Sequence, residues 1–101
     1  MEFEIFFSNL KSALGGNKEQ IQEMIQNGAI ILDVRSVGEF NSGHAKGCKN
    51  IPLDQLSSKM NALKGKKVVV VCKSGGRAMQ AKSMLEREGI EAVNAGAWQN
   101  V

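Results

Sequence analysis

Cys72 ends an all-valine run and opens a short loop that closes on an arginine: Val68-Val69-Val70-Val71-Cys72-Lys73-Ser74-Gly75-Gly76-Arg77. A helical pattern follows at once, so a strand, a nucleophile and a helix start are placed together. Backbone N–H groups at a helix N-terminus attract negative charge, and the same setting holds a cysteine as thiolate. Gly75 and Gly76 let the backbone turn tightly, and consecutive N–H groups can then face an anion as a nest. Arg77 can pair with a carboxylate behind the loop or face the anion itself. Lys73 adds charge at the rim, and the Ser74 hydroxyl can donate or accept. A plain strand-to-helix turn is the bland alternative, and Cys, Gly-Gly and Arg in one loop weigh against it.

Two chemistries use such a cradle. In one, the thiolate attacks phosphorus, as in a cysteine-dependent phosphatase or arsenate reductase. In the other, it attacks the outer sulfur of a small sulfur donor and becomes a persulfide. Both need stabilised negative charge, and neither needs a histidine base. His44 is the sole histidine, so any triad would have to use it; it reads instead as a loop residue that makes hydrogen bonds. Cys48 lies 24 positions before Cys72. It reads as a small buried side chain, with a resolving thiol for Cys72 as the alternative. No zinc-site spacing is present, and neither a metal nor another cofactor is expected.

The elements around the loop follow from periodicity. Asn17 can cap a helix, with Gln20 three residues on, as in a capping box. Ile21, Met24 and Ile25 form its apolar stripe and Gly28 ends it. Ala29–Val34 is a short, non-alternating apolar run, as in a buried parallel strand. The polar stretch Ser36–Lys49 suits a loop with one helical turn near Val37–Asn41. Asn50-Ile51-Pro52 is extended, and Leu53–Leu63 is weakly helical through Leu56, Met60 and Leu63. Val68–Val71 is the clearest strand. The next helix carries Ala78, Ala81, Met84 and Leu85 on one face and meets a C-terminal stop at Gly89. Ile90–Asn94 reads as a strand, and Ala95–Val101, with Trp98, as a segment packed over the sheet edge or the site. Strands alternating with helices in 101 residues indicate one α/β domain with an open, mostly parallel sheet flanked by helices. Such sheets bind ligands at the carboxyl ends of their strands. Cys72 lies there, and so does Asp33-Val34-Arg35.

Charge and composition narrow the partners. Net charge is +3, but residues 41–85 hold nine Lys or Arg against one acid, Asp54. That bias would draw small anions toward the Cys72 loop. One Trp, no Tyr and no basic–aromatic interleaving argue against a nucleic-acid platform. No apolar run approaches the roughly 18–20 residues of a membrane span. Glu2 and Glu4 stand where a signal peptide would be positive, and two unpaired thiols suit a cytoplasmic protein. Residues 1–16 read as an extension containing an amphipathic helix through Phe3, Phe6, Phe7, Leu10, Ala13 and Leu14. Packing on the domain or on a partner suits that face.

Cys72-Lys73-Ser74-Gly75-Gly76-Arg77 resembles the active-site loop of the rhodanese-like sulfurtransferases, especially the single-domain type. Asp33-Val34-Arg35, Glu39-Phe40, Gly43-His44, Gly47 and Asn50-Ile51-Pro52-Leu53 match that family's upstream motifs in order. Gly89-Ile90 and Gly96-Ala97-Trp98 match its downstream ones, and the resemblance runs from about Lys18 to Val101. In that family a six-residue loop goes with sulfur transfer, whereas related phosphatases carry one residue more; Cys72 to Arg77 is six residues. The resemblance implies a rhodanese fold over residues 17–101, with Cys72 as the persulfide-bearing nucleophile and Lys73, Ser74, Gly75, Gly76 and Arg77 as its cradle. Asp33, Arg35 and Glu39 would be supporting residues, and an Arg35–Glu39 ion pair is expected to brace the loop after the strand. The expected partners of a monomeric enzyme are a small anionic donor such as thiosulfate and a thiol or cyanide acceptor. A persulfide carrier serving a partner protein is the alternative from another class.

Overall fold

The structure is a computed structural model that describes residues 17–101; the helix expected before Gly16 lies outside the described residues. Helix α1 (Lys18–Gln26) starts where Asn17 accepts the Gln20 N–H at 2.7 Å. Strand β1 (Ile30–Asp33) follows, then the short helix α2 (Val37–Ser42) and the two-residue strand β2 (Lys49–Asn50). Leu53–Leu63 forms a run of 3₁₀ helix that buries Leu56, Met60 and Leu63. Strand β3 (Lys67–Cys72), helix α3 (Gly76–Arg87) and strand β4 (Glu91–Ala97) complete the chain before a 3₁₀ turn, Trp98–Asn100.

The four strands pair in the order β2-β1-β3-β4, all parallel. Strand β3 is central because its side chains suit a position buried on both faces. Side chains alternate across a strand, so Val68, Val70 and Cys72 join one apolar cluster, and Val69 and Val71 join the other. The first cluster is closed by the 3₁₀ run and by Ala78, Ala81 and Leu85 of α3. The second is closed by Ile21 and Met24 of α1, with Trp98 and Val101 at its margin. Two small alanines let α3 lie close to the sheet, which sets the height of its first turn against the end of β3.

Helices α1 and α3 stop in the same way. The Ala29 N–H reaches the Met24 carbonyl and the Ile90 N–H reaches that of Leu85, both at 3.0 Å. Each bond returns the chain toward the sheet and presents an apolar residue to it.

Strand β4 is longer than its sequence suggests. The expected end at Asn94 is passed, because the strand absorbs one extra residue. Asn94 pairs with Val70 and Gly96 with Val71, leaving Ala95 as a bulge. Gly96 has φ +77°, a left-handed conformation open to glycine. Pairing then resumes, Ala97 against Cys72.

Candidate active site

The site lies where β3 ends and α3 begins. Gly75 occupies the N-cap position of α3 at φ +108° and has no side chain with which to cap the helix. The first N–H groups of a helix lack intrahelical acceptors. Here the Cys72 sulfur takes that place. The Gly75 N–H donates to Sγ at 2.9 Å, and the backbone N–H groups of Ser74, Arg77 and Ala78 also favour the sulfur's anion. Burial pushes the Cys72 thiol up, but together these four donors outweigh it and hold the thiol below its ordinary value. The physical reason is that donors aimed at a sulfur favour its anion. Ala78 was not among the cradle residues expected from sequence; the pattern that reveals it is the helix start itself, since Arg77 and Ala78 fall in the first turn.

Lys73 and Ser74 are exposed at the rim, while Cys72 itself is 1% exposed. The Arg77 guanidinium does not reach back toward the sulfur. Its two terminal nitrogens grip Glu39 at 2.7 and 3.0 Å, which holds the start of α3 to α2. Glu39 also closes a capping box with Ser36: the Glu39 N–H donates to Ser36 Oγ, and the Ser36 N–H donates to Glu39 Oε1, each at 3.3 Å. The Arg77 pair, helped by Ser36, lowers the Glu39 carboxyl to about 2.

Arg35 has a different partner. It binds Asp33 through Nε and Nη2, the shortest contact being 2.7 Å, and both residues are buried. Its Nη2 also donates to the Gly43 carbonyl at 2.7 Å, and its guanidinium lies 4.9 Å from the Trp98 ring centroid. Asn50 Nδ2 secures the same corner by donating to the Asp33 and Arg35 carbonyls at 3.0 Å. The Arg35–Glu39 pair expected from sequence is therefore not formed. Four-residue spacing brings side chains together only within one helix, and α2 begins at Val37, after its cap Ser36.

His44 is turned into its own loop: Nδ1 donates to the Phe40 carbonyl at 2.8 Å and the ring stacks on Phe40. Cys48 is half-buried, and burial followed by the nearby Asp33 charge pushes its thiol up. Strand register keeps it away from Cys72. Cys48 precedes Lys49, which pairs with Leu32, and Leu32 pairs with Val70. Cys48 thus stands level with Val69, two strands and three residues from Cys72. Strand spacing of about 4.8 Å and rise of about 3.3 Å put the two Cα atoms about 14 Å apart. A disulfide spans at most about 7 Å, so the resolving-thiol alternative fails on geometry.

A family model for the rhodanese-like domain matches residues 17–100. The chain belongs to the rhodanese-like family. Its curated relatives include a protein of Bacillus subtilis described as the putative sulfur carrier protein YrkF, 31% identical over 64 residues, which are 62% of this chain and 35% of that protein. A tRNA uridine(34) hydroxylase of Bacillus thuringiensis is 32% identical over 85 residues, 76% of this chain and 26% of that enzyme. Among solved structures, a rhodanese-related protein of Thermoplasma volcanium superposes with a TM-score of 0.73 at 29% identity, covering 84% of this chain and 85% of that one. The chain spans about half or less of the length of the curated relatives it matches. Cys72 thus lies at the carboxyl end of a central strand of this fold, and family membership supports sulfur transfer at the level of the family. Among the described residues, no helix is long and apolar enough to cross a membrane.

Proposed function

We propose that the chain is a sulfurtransferase that moves sulfane sulfur from a small anionic donor such as thiosulfate to a thiol or cyanide acceptor, through a persulfide on Cys72. The observation that carries this reading is the bond that the Gly75 N–H donates to the Cys72 sulfur at 2.9 Å, where β3 ends and α3 begins. In the first step the thiolate attacks the outer sulfur of thiosulfate. A new S–S bond forms, the donor's S–S bond breaks, and sulfite leaves with the electron pair. The anionic outer sulfur of the persulfide then lies within reach of the same N–H donors, as an oxyanion does in acyl transfer. In the second step an acceptor thiolate or cyanide attacks that outer sulfur, and Cys72 departs as thiolate. Charge and atoms balance in both steps without an added oxidant. Lys73 at the rim contributes positive charge that draws the donor in.

The side chain of Arg77 favours sulfur over phosphorus. A phosphoryl-transfer cradle needs the loop arginine on the anion, and this one is held by both oxygens of Glu39. The carrier reading draws its support from the sulfur carrier among the relatives. A reducing, cytoplasmic compartment suits either, since both cysteines are free thiols.

The test is incubation with thiosulfate followed by intact-mass measurement and addition of cyanide or a small thiol. The enzyme reading expects one added sulfur atom on Cys72, sulfite release and rapid turnover by the acceptor. A stable adduct with negligible turnover would select the carrier. Undiminished sulfur transfer by Cys72→Ser would remove the mechanism altogether.

A further inference from the structure

The bulge in β4 turns one side chain toward the loop that holds the sulfur. Asn94 Nδ2 donates to the Gly75 carbonyl at 3.1 Å, and Asn94 Oδ1 accepts the Gly96 N–H at 2.8 Å. One amide therefore ties the left-handed residue of the loop to the left-handed residue of the bulge. The backbones are close enough that a Cβ on Gly75 would stand 3.5 Å from Gly96 Cα. Gly75 is the residue whose N–H makes the 2.9 Å bond to Cys72 Sγ. Its carbonyl accepts the first α3 bond, from the Met79 N–H at 2.9 Å. Both ends of this residue are thus committed, and Asn94 is the side chain that fixes its carbonyl.

We infer that Asn94 is a positioning residue for the reacting sulfur: by holding the Gly75 carbonyl, it keeps the Gly75 N–H and the following helix start aimed at Cys72. This rests on Cys72 being the reacting nucleophile. The bulge is what makes it possible, because the extra residue Ala95 shifts the strand so that Asn94 and Gly96 meet the loop together. The charged groups around the sulfur are few: Arg77 on α3, paired with Glu39 of α2; Lys73 on the loop; and Asp33 at the end of β1, paired with Arg35. Asn94 adds no charge to this set, so its replacement acts through geometry.

The experiment titrates the Cys72 thiol in the full chain carrying Cys48→Ala, so that a single thiol reports. Iodoacetamide alkylation rates are measured from pH 5 to 10 for the parent, Asn94→Ala, Asn94→Ser and Asn100→Ala. Asn94→Ser leaves an oxygen for the Gly96 N–H and serves if the alanine variant does not fold. Asn100 bonds the Ala95 carbonyl of the same bulge without touching the loop, so Asn100→Ala controls for general loosening. Loss of one aimed donor is expected to raise the Cys72 midpoint by about one pH unit. Alkylation well below the parent midpoint then slows about tenfold, while the alkaline plateau stays within about twofold. Asn100→Ala is expected to match the parent. An unmoved midpoint in both Asn94 variants, or the same shift in Asn100→Ala, overturns the proposal. Because the readout is the thiol and not sulfur transfer, a chain that failed to use thiosulfate would leave this result interpretable.

Discussion

The Cys72 thiol is almost wholly buried, and burial alone would make it a weak nucleophile. What reverses this is the aim of backbone donors: the Gly75 N–H donates to the sulfur at 2.9 Å, the N–H groups of Ser74, Arg77 and Ala78 favour the same anion, and a hydrogen bond to a charged group contributes roughly 1.5–3 kcal/mol. Cys48 has the opposite setting, with burial and the Asp33 carboxylate both opposing its anion. Alkylation against pH should therefore split the two thiols. Cys72 is expected to react with a midpoint below the ordinary thiol value of about 8.5, and Cys48 with one above it, as peptide mapping after timed labelling would reveal. Reversal of that order would contradict the cradle. Cys72→Ser should lose all sulfur transfer while circular dichroism and the unfolding midpoint change little, since a hydroxyl keeps an acceptor at the helix start. At this scale the sequence pointed to Cys72 and its loop as one strand-to-helix unit, and the structure brings them together there. Ala78 was legible only through the helix start, and Asn94 was not legible at all, because a side chain arriving from another strand leaves no local pattern.

Helix α2 is only six residues long and owes its place to what Glu39 binds at its two ends. The carboxylate caps its own helix and holds α3 through Arg77. Its value of about 2 lies below the roughly 4.3 of an unfolded glutamate. A depressed folded value means the stabilisation is fully present above the unfolded value and is lost as pH falls toward about 2. Unfolding measured by denaturant between pH 4.5 and 2 should show this decline in the parent. Glu39→Gln, which keeps the capping box and removes the charge, should show a shallower one. An identical acid profile would mean that the Arg77 pair contributes nothing. Strands β1 and β3 and the two longer helices were legible from apolar spacing, because a valine run and an alanine stripe have few alternatives; β2, a Lys-Asn pair, carries no such spacing. The end of β4 was not, since a glycine after a strand reads as a stop, whereas Gly96 sustains pairing by entering a left-handed turn. The partner of Arg35 was misread for a related reason: spacing along the chain says who can meet only once the helix boundary is known.

At the scale of the molecule, the first strand and the last turn are joined through one buried cation. Arg35 is bound by Asp33 and Gly43 and covered by Trp98. Removing one member of a buried pair leaves an uncompensated charge, at a cost of about 3–5 kcal/mol. Asp33→Asn should therefore lower the thermal midpoint by more than 10 °C, at the roughly 4–8 °C per kcal/mol expected of a domain this size. An unchanged midpoint would show that Arg35 finds other partners without strain. The other end of the site is held by the half-exposed Arg77–Glu39 pair and by Asn94 rather than by a buried cation: α3 begins with a glycine cap, and the Cys72 sulfur serves as an acceptor there. On the proposed chemistry, the atom that would carry the cargo is thus also a structural ligand of the helix above it. Each loading or unloading would then exchange one acceptor for another at the foot of α3, so the domain's melting curve would double as a gauge of whether its sulfur is empty, charged or chemically blocked.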